Sequence, residues 1–383
     1  MNEANRSDGA RERAEQKTML MPRREQGSEL PRGTQLEEFV IDRPLGVGGY
    51  SIVYLARDIK LDRKVALKEY LPGTIAARVP GGMVMPRLPR FEEAYNKGLQ
   101  SFINEARLLG SFDHPALVKV YRFWAARGTA YMAMPYYEGM TLKKWMSDLG
   151  APPSERWLRA LATPLAHAIA VLHEHSTLHR DVSPDNVLML YDRATGNYLE
   201  QAPRPVLLDF GAARRVAAEA TQQLTAILKS GYSPVEQYDN DAKERQGPWT
   251  DVYALSAVMY HATTGKAPPA SIARAVRDDM VPARVAGGGR YSQAFLQAID
   301  RGLAVRAEQR PQSMAELLAW MDVPEPVAPA AGADLGLPAG PSAPAATAAP
   351  AAGLSGLRGK RLAMAGLAVT GLLALLAAWA LLR

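Results

Sequence analysis

The pattern of hydrophobic and polar positions divides the chain into four stretches. Residues 1–33 are polar and of mixed charge, and they predict a disordered tail because they cannot bury enough apolar surface to offset the entropy lost on ordering. Residues 34–322 have the composition of a foldable domain, at a length common for two lobes around a cleft. Residues 323–361 are rich in proline and alanine and predict a juxtamembrane linker that adds no core. The fourth stretch, residues 362–382, contains no charged residue.

This charge-free stretch, from Leu362 to Leu382, predicts a single transmembrane helix. Its 21 residues would extend about 30 Å as a helix, which matches the hydrocarbon thickness of a bilayer. A buried core helix is the alternative, and it is less favoured because the preceding linker offers nothing to pack over it. We therefore expect the lipid bilayer to be a partner of this segment.

The residues that flank and line this predicted span indicate its orientation and its packing. Three basic residues precede it and one follows it, namely Arg358, Lys360, Arg361 and then Arg383. This bias predicts a cytoplasmic N-terminal domain and a C-terminus on the far side of the membrane. Small residues recur every four positions, at Gly366, Thr370, Ala374 and Ala378. Such a stripe lets two helices approach closely, so a homodimer is a hypothesis.

Overall composition narrows the classes of function. The net charge of +6 suits an anionic partner, such as nucleic acid, a phosphate ligand or a lipid headgroup. No long basic run or RNA-binding aromatic motif accompanies this charge, so no nucleic-acid partner is predicted. The absence of cysteine excludes disulfides, thiolate metal sites and a cysteine nucleophile, and it fits a reducing compartment.

A glycine-rich segment lies near the start of the foldable domain. A probable strand from Phe39 to Ile41 is followed by the glycine-rich run from Leu45 to Tyr54, and then by an alternating run into Lys68. Two strands joined by a glycine-rich turn are predicted. Glycines let backbone N–H groups approach a polyphosphate, although a plain hairpin turn fits the motif equally well. No helix opens directly after the glycines, which disfavours a dinucleotide-binding fold.

Lys68 lies in an apolar strand, where it is either a solvent-facing edge charge or a cation that faces a cleft. The segment from Phe102 to Leu109 has helical spacing of its apolar residues. Glu105 lies beside this apolar stripe, where it could reach a buried lysine.

Two further segments concentrate polar side chains. The first runs from Thr177 to Leu188 and is a loop because it contains Pro184; its polar residues are His179, Arg180, Asp181, Asp185 and Asn186. The second is an apolar strand that ends in Asp209. Carboxylates and an amide at strand ends suit Mg²⁺, a hard cation that prefers oxygen ligands, although either segment alone could be an ordinary acidic loop.

Taken in order, these segments resemble the protein-kinase signature set, and the resemblance extends from Leu36 to Trp320. The chain looks most like bacterial relatives of the eukaryotic serine/threonine kinases, the Hanks-type family, several of which are single-span membrane proteins. The resemblance implies an α+β bilobal fold with a small β-rich N-lobe and a larger helical C-lobe. It also implies transfer of the γ-phosphoryl group of ATP to serine or threonine hydroxyls of proteins, including its own, with Mg²⁺ as cofactor.

The resemblance also implies roles for individual residues. Lys68 contacts the α- and β-phosphates and pairs with Glu105, Asp181 orients the substrate hydroxyl, and Asn186 and Asp209 hold Mg²⁺. The residues implied to contact the nucleotide are Leu45, Gly46, Val47, Gly48, Gly49, Tyr50, Ser51, Val53, Ala66, Lys68, Met134, Pro135, Tyr137 and Leu188. Thr221, Thr225 and Ser230 are candidate phosphate acceptors in the activation segment. An ion pair between Glu236 and Arg310 is implied as part of the scaffold.

The chain departs from the family pattern at four places. Ser51 stands where the third glycine would be, and Ser183 stands where serine/threonine kinases usually carry a lysine that meets the transferring phosphate. The segment from Pro234 to Glu236 is one residue longer than usual. The stretch that separates Lys68 from Glu105 is rich in proline and glycine, and it predicts an inserted loop.

These departures keep two alternatives open. One is a catalytically weak pseudokinase or scaffold that binds nucleotide and partner proteins at the membrane, a reading motivated by Ser183. The other is a kinase-like phosphotransferase that acts on small molecules. Arg180 and the long segment from Asp209 to Glu236 favour protein substrates, because that segment docks a peptide in protein kinases.

Overall fold

The computed structural model describes residues 28–191, 201–210, 228–238 and 246–322. The chain divides into two units, Met1–Pro326 and Val327–Arg383, and all described residues belong to the first. The strands are β1 Gln35–Leu36, β2 Phe39–Val47, β3 Ser51–Asp58, β4 Arg63–Tyr70, β5 Ala76–Arg78, β6 Val84–Pro86, β7 Arg122–Ala126, β8 Thr129–Pro135, β9 Gly139–Thr141, β10 Val187–Leu190 and β11 Pro205–Leu207. The α-helices are α1 Glu92–Ser111, α2 Leu142–Asp148, α3 Glu155–Glu174, α4 Pro248–Thr264, α5 Ser271–Val276, α6 Ala283–Ala286, α7 Gln293–Gly302 and α8 Met314–Met321.

The N-lobe is an antiparallel six-stranded sheet in the order β1-β2-β3-β4-β8-β7, with helix α1 packed on it. The turn between β2 and β3 is the glycine-rich segment. Helix α1 carries Glu92 and Glu93 in its first turn, where carboxylates stabilise the positive end of the helix dipole. Its buried face, which includes Phe102, Ala106 and Leu109, also presents Glu105 towards the sheet. The sheet and the helix thus bring charges from distant parts of the sequence together.

The proline- and glycine-rich stretch between Lys68 and Glu105 contains a packed hairpin, where the sequence predicts an inserted loop. Strands β5 and β6 pair antiparallel, and Ile75 and Val84 are buried. The turn between them uses Gly81 and Gly82, whose φ angles of 91° and 84° suit glycine. The backbone N–H of Val84 also donates to the carbonyl of Arg127 over 2.8 Å. Buried apolar residues therefore dock this hairpin on the N-lobe.

The packed part of the chain begins before residue 34, the predicted start of the domain. Leu30 is buried, and its backbone N–H donates to the hydroxyl of Tyr54 over 3.0 Å. The carbonyl of Ser28 accepts a hydrogen bond from Arg78 at 2.9 Å. Residues 28–33 therefore contact the domain, although their composition alone predicts a tail.

The C-lobe is helical, and strands β9, β10 and β11 form a small sheet within it. Helix α4 is buried on almost every side, which is typical of the central helix of a helical lobe. Helices α3, α7 and α8 pack around it. The predicted α+β bilobal architecture is therefore confirmed.

Within the described ranges, no helix is both long enough and apolar enough to cross a bilayer. The predicted span at residues 362–382 and the linker at residues 323–361 lie outside the described residues. Residues 1–27 and the candidate acceptors Thr221 and Thr225 also lie outside them.

Candidate active site

A cavity of about 160 Å³ contains the residues singled out for chemistry. Its lining consists of Gly48, Gly49, Tyr50, Ser51, Lys68, Tyr70, Phe102, Glu105, Asp181, Asn186 and Asp209. A larger cavity of about 400 Å³, lined in part by helices α2 and α4, has no carboxylate in its wall. The smaller cavity is therefore the candidate active site.

Lys68 is the cation at the centre of this cavity. It lies on β4 and is buried, with its Nζ atom 2.5 Å from Asp209 Oδ1 and 3.4 Å from Glu105 Oε1. Burial by itself would lower the pKa of Lys68, but the charges of Asp209 and Glu105 outweigh it and raise the pKa above its usual value. The lysine is therefore fully charged at neutral pH.

The two carboxylates around Lys68 differ in exposure. Glu105 is buried, which raises its pKa, and the charge of Lys68 opposes that rise. The side chain of Asp209 is 44% exposed and faces the cavity. Asp209 has a φ of 40°, in the left-handed region that few non-glycine residues adopt. The site thus has one enclosed carboxylate and one that a ligand can reach.

Asp181 and Asn186 form the floor of the cavity. The amide nitrogen of Asn186 donates to Asp181 Oδ2 over 2.6 Å and to the Asp181 carbonyl over 2.8 Å. The bond to Oδ2 fixes the orientation of the carboxylate, and the bond to the carbonyl ties Asn186 to the backbone of Asp181. Because the amide nitrogen is used in this way, the amide oxygen is the atom of Asn186 that would bind a cation.

Asp251 on α4 anchors the loop that runs from Thr177 to Leu188, the catalytic loop. Asp251 is buried and accepts backbone hydrogen bonds from His179 at 2.9 Å and from Arg180 at 2.7 Å, together with a side-chain contact to His173 at 2.8 Å. Burial would raise the pKa of Asp251, but its bonds and charges with His173 and the loop lower it. Glu236 and Arg310 form the scaffold ion pair, with the Arg310 Nη1 atom 2.7 Å from Glu236 Oε1.

His179 links the catalytic loop to the segment that carries Asp209. The sequence pattern gave this residue no role in the site. Its Nε2 atom lies 2.9 Å from the carbonyl of Leu208, and its ring stacks on Phe210 at 4.9 Å between centroids. Burial lowers the pKa of His179, so the ring is neutral. The only sequence signal was its position two residues before Asp181.

Lys229 is a second residue that sequence reasoning missed. Its Nζ atom lies 2.6 Å from Ser183 Oγ and 3.8 Å from Asp181 Oδ1. The unusual serine marked this position as different, but Lys229 is 46 residues further along the chain. Nothing in the sequence pairs these two residues.

The glycine-rich turn forms the roof of the cavity. The Gly48 N–H donates to the Ser51 carbonyl over 2.9 Å, while the Tyr50 and Gly49 carbonyls accept from Leu71 and Gly73, each over 3.0 Å. A Cβ atom added at Gly49 would meet no heavy atom within 4 Å. The turn is therefore held in place while the space beside it is open.

The other predicted nucleotide contacts do not line this cavity. Gly46 and Val53 are opposite each other on β2 and β3, and Ala66 and Met134 are opposite each other on β4 and β8. Leu45 and Val47 lie at the exposed end of β2, Pro135 ends β8, and Tyr137 follows it. Leu188 lies on β10, where it pairs with Thr141 and Val206.

The side chains in the cavity fit a magnesium–polyphosphate ligand. Mg²⁺ is usually bound through one or two carboxylates together with phosphate oxygens, not by an all-protein cage. Asp209 and the amide oxygen of Asn186 supply such oxygen donors, and Lys68 supplies a positive charge. In the part of the chain that the structure describes, no cluster of three or more His, Cys, Asp or Glu residues could hold a metal by itself. Phosphate oxygens would complete the coordination.

Residues 39–320 match the family described as protein kinase domain. This range is more than half of the chain, and the chain therefore belongs to the protein kinase family. The relatives described next are bacterial serine/threonine-protein kinases, so the predicted membership of the Hanks-type class is confirmed.

Individual relatives place the chain within this class. Serine/threonine-protein kinase PknB of Mycobacterium tuberculosis is 30% identical over 296 residues, which are 74% of this chain and 42% of the relative. PrkC of Bacillus subtilis is 30% identical over 233 residues, which are 60% of this chain and 31% of the relative. The chain thus matches less than half the length of these curated relatives.

Two solved structures resemble the described domain. The apo form of PpkA-294 is 39% identical with a TM-score of 0.70, and the match covers 77% of this chain and 100% of that chain. The kinase domain of Mycobacterium tuberculosis PknI is 22% identical with a TM-score of 0.54, covering 76% of this chain and 98% of that one. At that identity the PknI likeness concerns the fold alone.

Proposed function

We propose that this chain is an active protein kinase that transfers the γ-phosphoryl group of ATP to serine or threonine hydroxyls of proteins. The observation that carries the proposal is the convergence of Lys68, Glu105, Asp181, Asn186 and Asp209 on one cavity beneath a glycine-rich turn. Phosphoryl transfer needs positioning and charge neutralisation more than covalent chemistry, and these side chains provide both.

In the proposed reaction, Asp181 holds the substrate hydroxyl and receives its proton. The hydroxyl oxygen forms a bond to the γ-phosphorus while the bond from that phosphorus to the bridging oxygen of ADP breaks. Asn186 donates to Asp181 Oδ2 over 2.6 Å, which orients the carboxylate for this role. Glu105 holds Lys68 where its charge meets the phosphates.

Mg²⁺, when bound, neutralises charge that develops on the phosphate oxygens. Asp209 and Asn186 would hold it. Asp209 lies 2.5 Å from Lys68, which supports a shared role of these two residues at the phosphates.

The acceptor class is tested by giving the full chain γ-labelled ATP with generic protein substrates in one reaction and aminoglycosides in another. We expect label on protein serine and threonine residues and none on the aminoglycosides, with Asp181→Asn as the inactive control. Preferential labelling of the aminoglycosides would favour the small-molecule alternative. A wild-type chain that binds nucleotide but matches the control would favour the pseudokinase or scaffold, for which the replacement of lysine by Ser183 is the motivating observation.

We further propose that residues 362–382 anchor the kinase as a single-pass membrane protein, with the kinase domain in the cytoplasm. The charge-free length and the basic residues before it support this proposal. The full chain should sediment with membranes and resist alkaline extraction, whereas a variant lacking residues 362–382 should be soluble. Equal partitioning of the two chains would exclude the anchor, and crosslinking in the membrane would test the homodimer.

Autophosphorylation is the remaining part of the proposal. Arg180 directly precedes Asp181, as in kinases whose activation segment is ordered by phosphorylation. Thr221, Thr225 and Ser230 are the proposed acceptors. Mass spectrometry of the wild-type chain after incubation with Mg²⁺ and ATP should find phosphate between residues 212 and 233, and unmodified peptides throughout that range would exclude it.

A further inference from the structure

The catalytic loop has a neutral side chain at Ser183, two residues after Asp181, and a cation from another segment reaches it. Ser183 is fully buried, and its Oγ atom accepts a hydrogen bond from Lys229 Nζ over 2.6 Å. The same Nζ atom lies 3.8 Å from Asp181 Oδ1. The lysine side chain is only 20% exposed, so water screens its charge weakly.

The backbone around Lys229 holds this lysine in place. Its carbonyl accepts hydrogen bonds from the N–H groups of Tyr232 at 2.9 Å and Ser233 at 3.1 Å. Gly231 within this turn has a φ of 87°, and a Cβ atom there would lie 2.4 Å from the Pro268 carbonyl oxygen. The turn is therefore packed closely against a neighbouring segment of the C-lobe.

From this geometry we infer that Lys229 is a catalytic residue that supplies the positive charge beside the transferring phosphoryl group. The inference rests on the proposed kinase function. In the proposed reaction Asp181 holds the substrate hydroxyl and the phosphoryl group approaches that hydroxyl, so a cation 3.8 Å from the Asp181 carboxylate borders the path of transfer. The charge that Ser183 lacks therefore comes from the turn that carries Lys229.

A purely structural role makes a different prediction. If Lys229 served only to hold its segment against the catalytic loop, kcat would depend on the hydrogen bond to Ser183 and not on the charge of the lysine. Glutamine keeps a hydrogen-bond donor without the charge, methionine keeps neither, and arginine keeps both. These three variants at one position separate charge from anchoring.

The experiment measures kcat and KM of the full chain with peptide and ATP. Lys229→Met and Lys229→Gln should both lower kcat by about 100-fold, the scale of removing one group that stabilises the transition state, while KM for ATP stays within about threefold. Lys229→Arg should retain more activity than either. Lys143→Met is the matched control, because Lys143 is an exposed lysine near the same loop, paired with Asp185 at 3.1 Å, and it should leave kcat unchanged.

A reciprocal exchange provides a test by recovery. Lys229→Ser should lose activity, and adding Ser183→Lys in the same chain should restore kcat at least about tenfold, because the contacting pair again contains one cation. Thermal melting of every variant checks that it folds. The exchange is informative even if a single variant is unstable, since it is compared with Lys229→Ser at equal folded fraction.

Several outcomes would overturn the inference. They are wild-type kcat in Lys229→Met, wild-type kcat in Lys229→Gln alone, and an exchange variant no better than Lys229→Ser. Failure of the proposed function looks different, because the wild-type chain would then be no more active than Asp181→Asn. In that case the kinase proposal and this inference fall together.

Discussion

Strand β4 carries two adjacent charges, Lys68 and Glu69, that point to opposite faces of the sheet and belong to two different clusters. Lys68 faces the cavity and contacts Glu105 and Asp209, and Asp209 is 44% exposed. Glu69 faces the other way and is fully buried. Its partners are Arg78, Tyr54 and Tyr131.

The difference between these clusters indicates that the Lys68 cluster serves catalysis and the Glu69 cluster stabilises the fold. The Glu69 cluster is closed, because the Tyr54 hydroxyl at 2.9 Å, the Tyr131 hydroxyl at 2.8 Å and the guanidinium of Arg78 surround its carboxylate. The Lys68 cluster is open on the side of Asp209, where a ligand can enter. A buried charge whose partners are complete stabilises a fold, whereas one that faces an open cavity is available for catalysis.

Lys68→Met is expected to give the largest effect. Transfer should slow by about 1,000-fold, because the charge that meets the phosphates is lost. Unfolding free energy should fall by only about 2 kcal/mol, less than the roughly 3–5 kcal/mol typical of an orphaned buried charge, because the raised pKa of Glu105 lets it take up a proton. Kinetic assays and chemical denaturation measure the two quantities, and Lys64→Met on the same strand, an exposed lysine, is the control.

Glu69→Gln should have the opposite effect, with a larger loss of stability and little loss of activity. The free energy of unfolding is expected to fall by about 3 kcal/mol, because Arg78 keeps a buried charge without its counter-ion. The transfer rate per folded molecule should stay within about twofold of wild type. Adding Arg78→Met should recover part of the stability, since removing both charges is nearly neutral. Loss of activity without loss of stability would show that the closed cluster takes part in catalysis.

Gly128→Ala tests whether the hairpin that carries Arg78 must dock on the N-lobe. Gly128 has a φ of 73°, and a Cβ atom there would lie 2.4 Å from the Val84 carbonyl oxygen. Backbone strain and hairpin displacement together should cost about 2–3 kcal/mol in urea denaturation. Gly33→Ala is the control, because its φ of 82° gives the same strain in open space, at about 1 kcal/mol. Equal losses in both variants would mean that the hairpin contact contributes nothing.

The smallest expected effect is a pH dependence centred on His179, behind the open cluster. Burial lowers the pKa of His179 below 6.5, so its contribution to stability is complete above pH 6.5 and is lost as the pH falls towards the folded-state pKa. Between pH 6.5 and 5.5 the loss should be at most about 1 kcal/mol, the limit for one histidine over one pH unit. His114 and His261 also have pKa values lowered by burial, so the difference between wild type and His179→Phe isolates one residue. Identical slopes in the two chains would contradict the assignment.

The open cluster could be predicted from the sequence far better than the closed one. Lys68, Asp181, Asn186 and Asp209 resemble the protein-kinase signature in order and spacing, and the structure brings all four to one cavity. Glu69 has no such signal. Its partners come from three other strands, and Arg78 lies on a three-residue strand too short to show alternation.

Tertiary packing also explains the other contacts that the sequence does not predict. Leu30 is a single apolar side chain that is buried against the domain. The average composition of the polar segment around it does not predict this contact. Lys229 reaches Ser183 through a turn that depends on Gly231 and Pro268. Such contacts depend on tertiary packing, so motif spacing predicts the chemistry of the site but not the residue that completes it.

The most direct test of the account compares the full wild-type chain with Asp181→Asn for transfer of the γ-phosphoryl group to protein serine and threonine. The variant keeps Lys68, Asn186 and Asp209, the residues proposed to hold the phosphates and Mg²⁺, so it should bind Mg²⁺ and ATP with unchanged affinity. We predict label on serine and threonine in the wild-type reaction and transfer slower by about 1,000-fold in the variant. Equal rates in the two chains would contradict the claim that this cavity performs phosphoryl transfer.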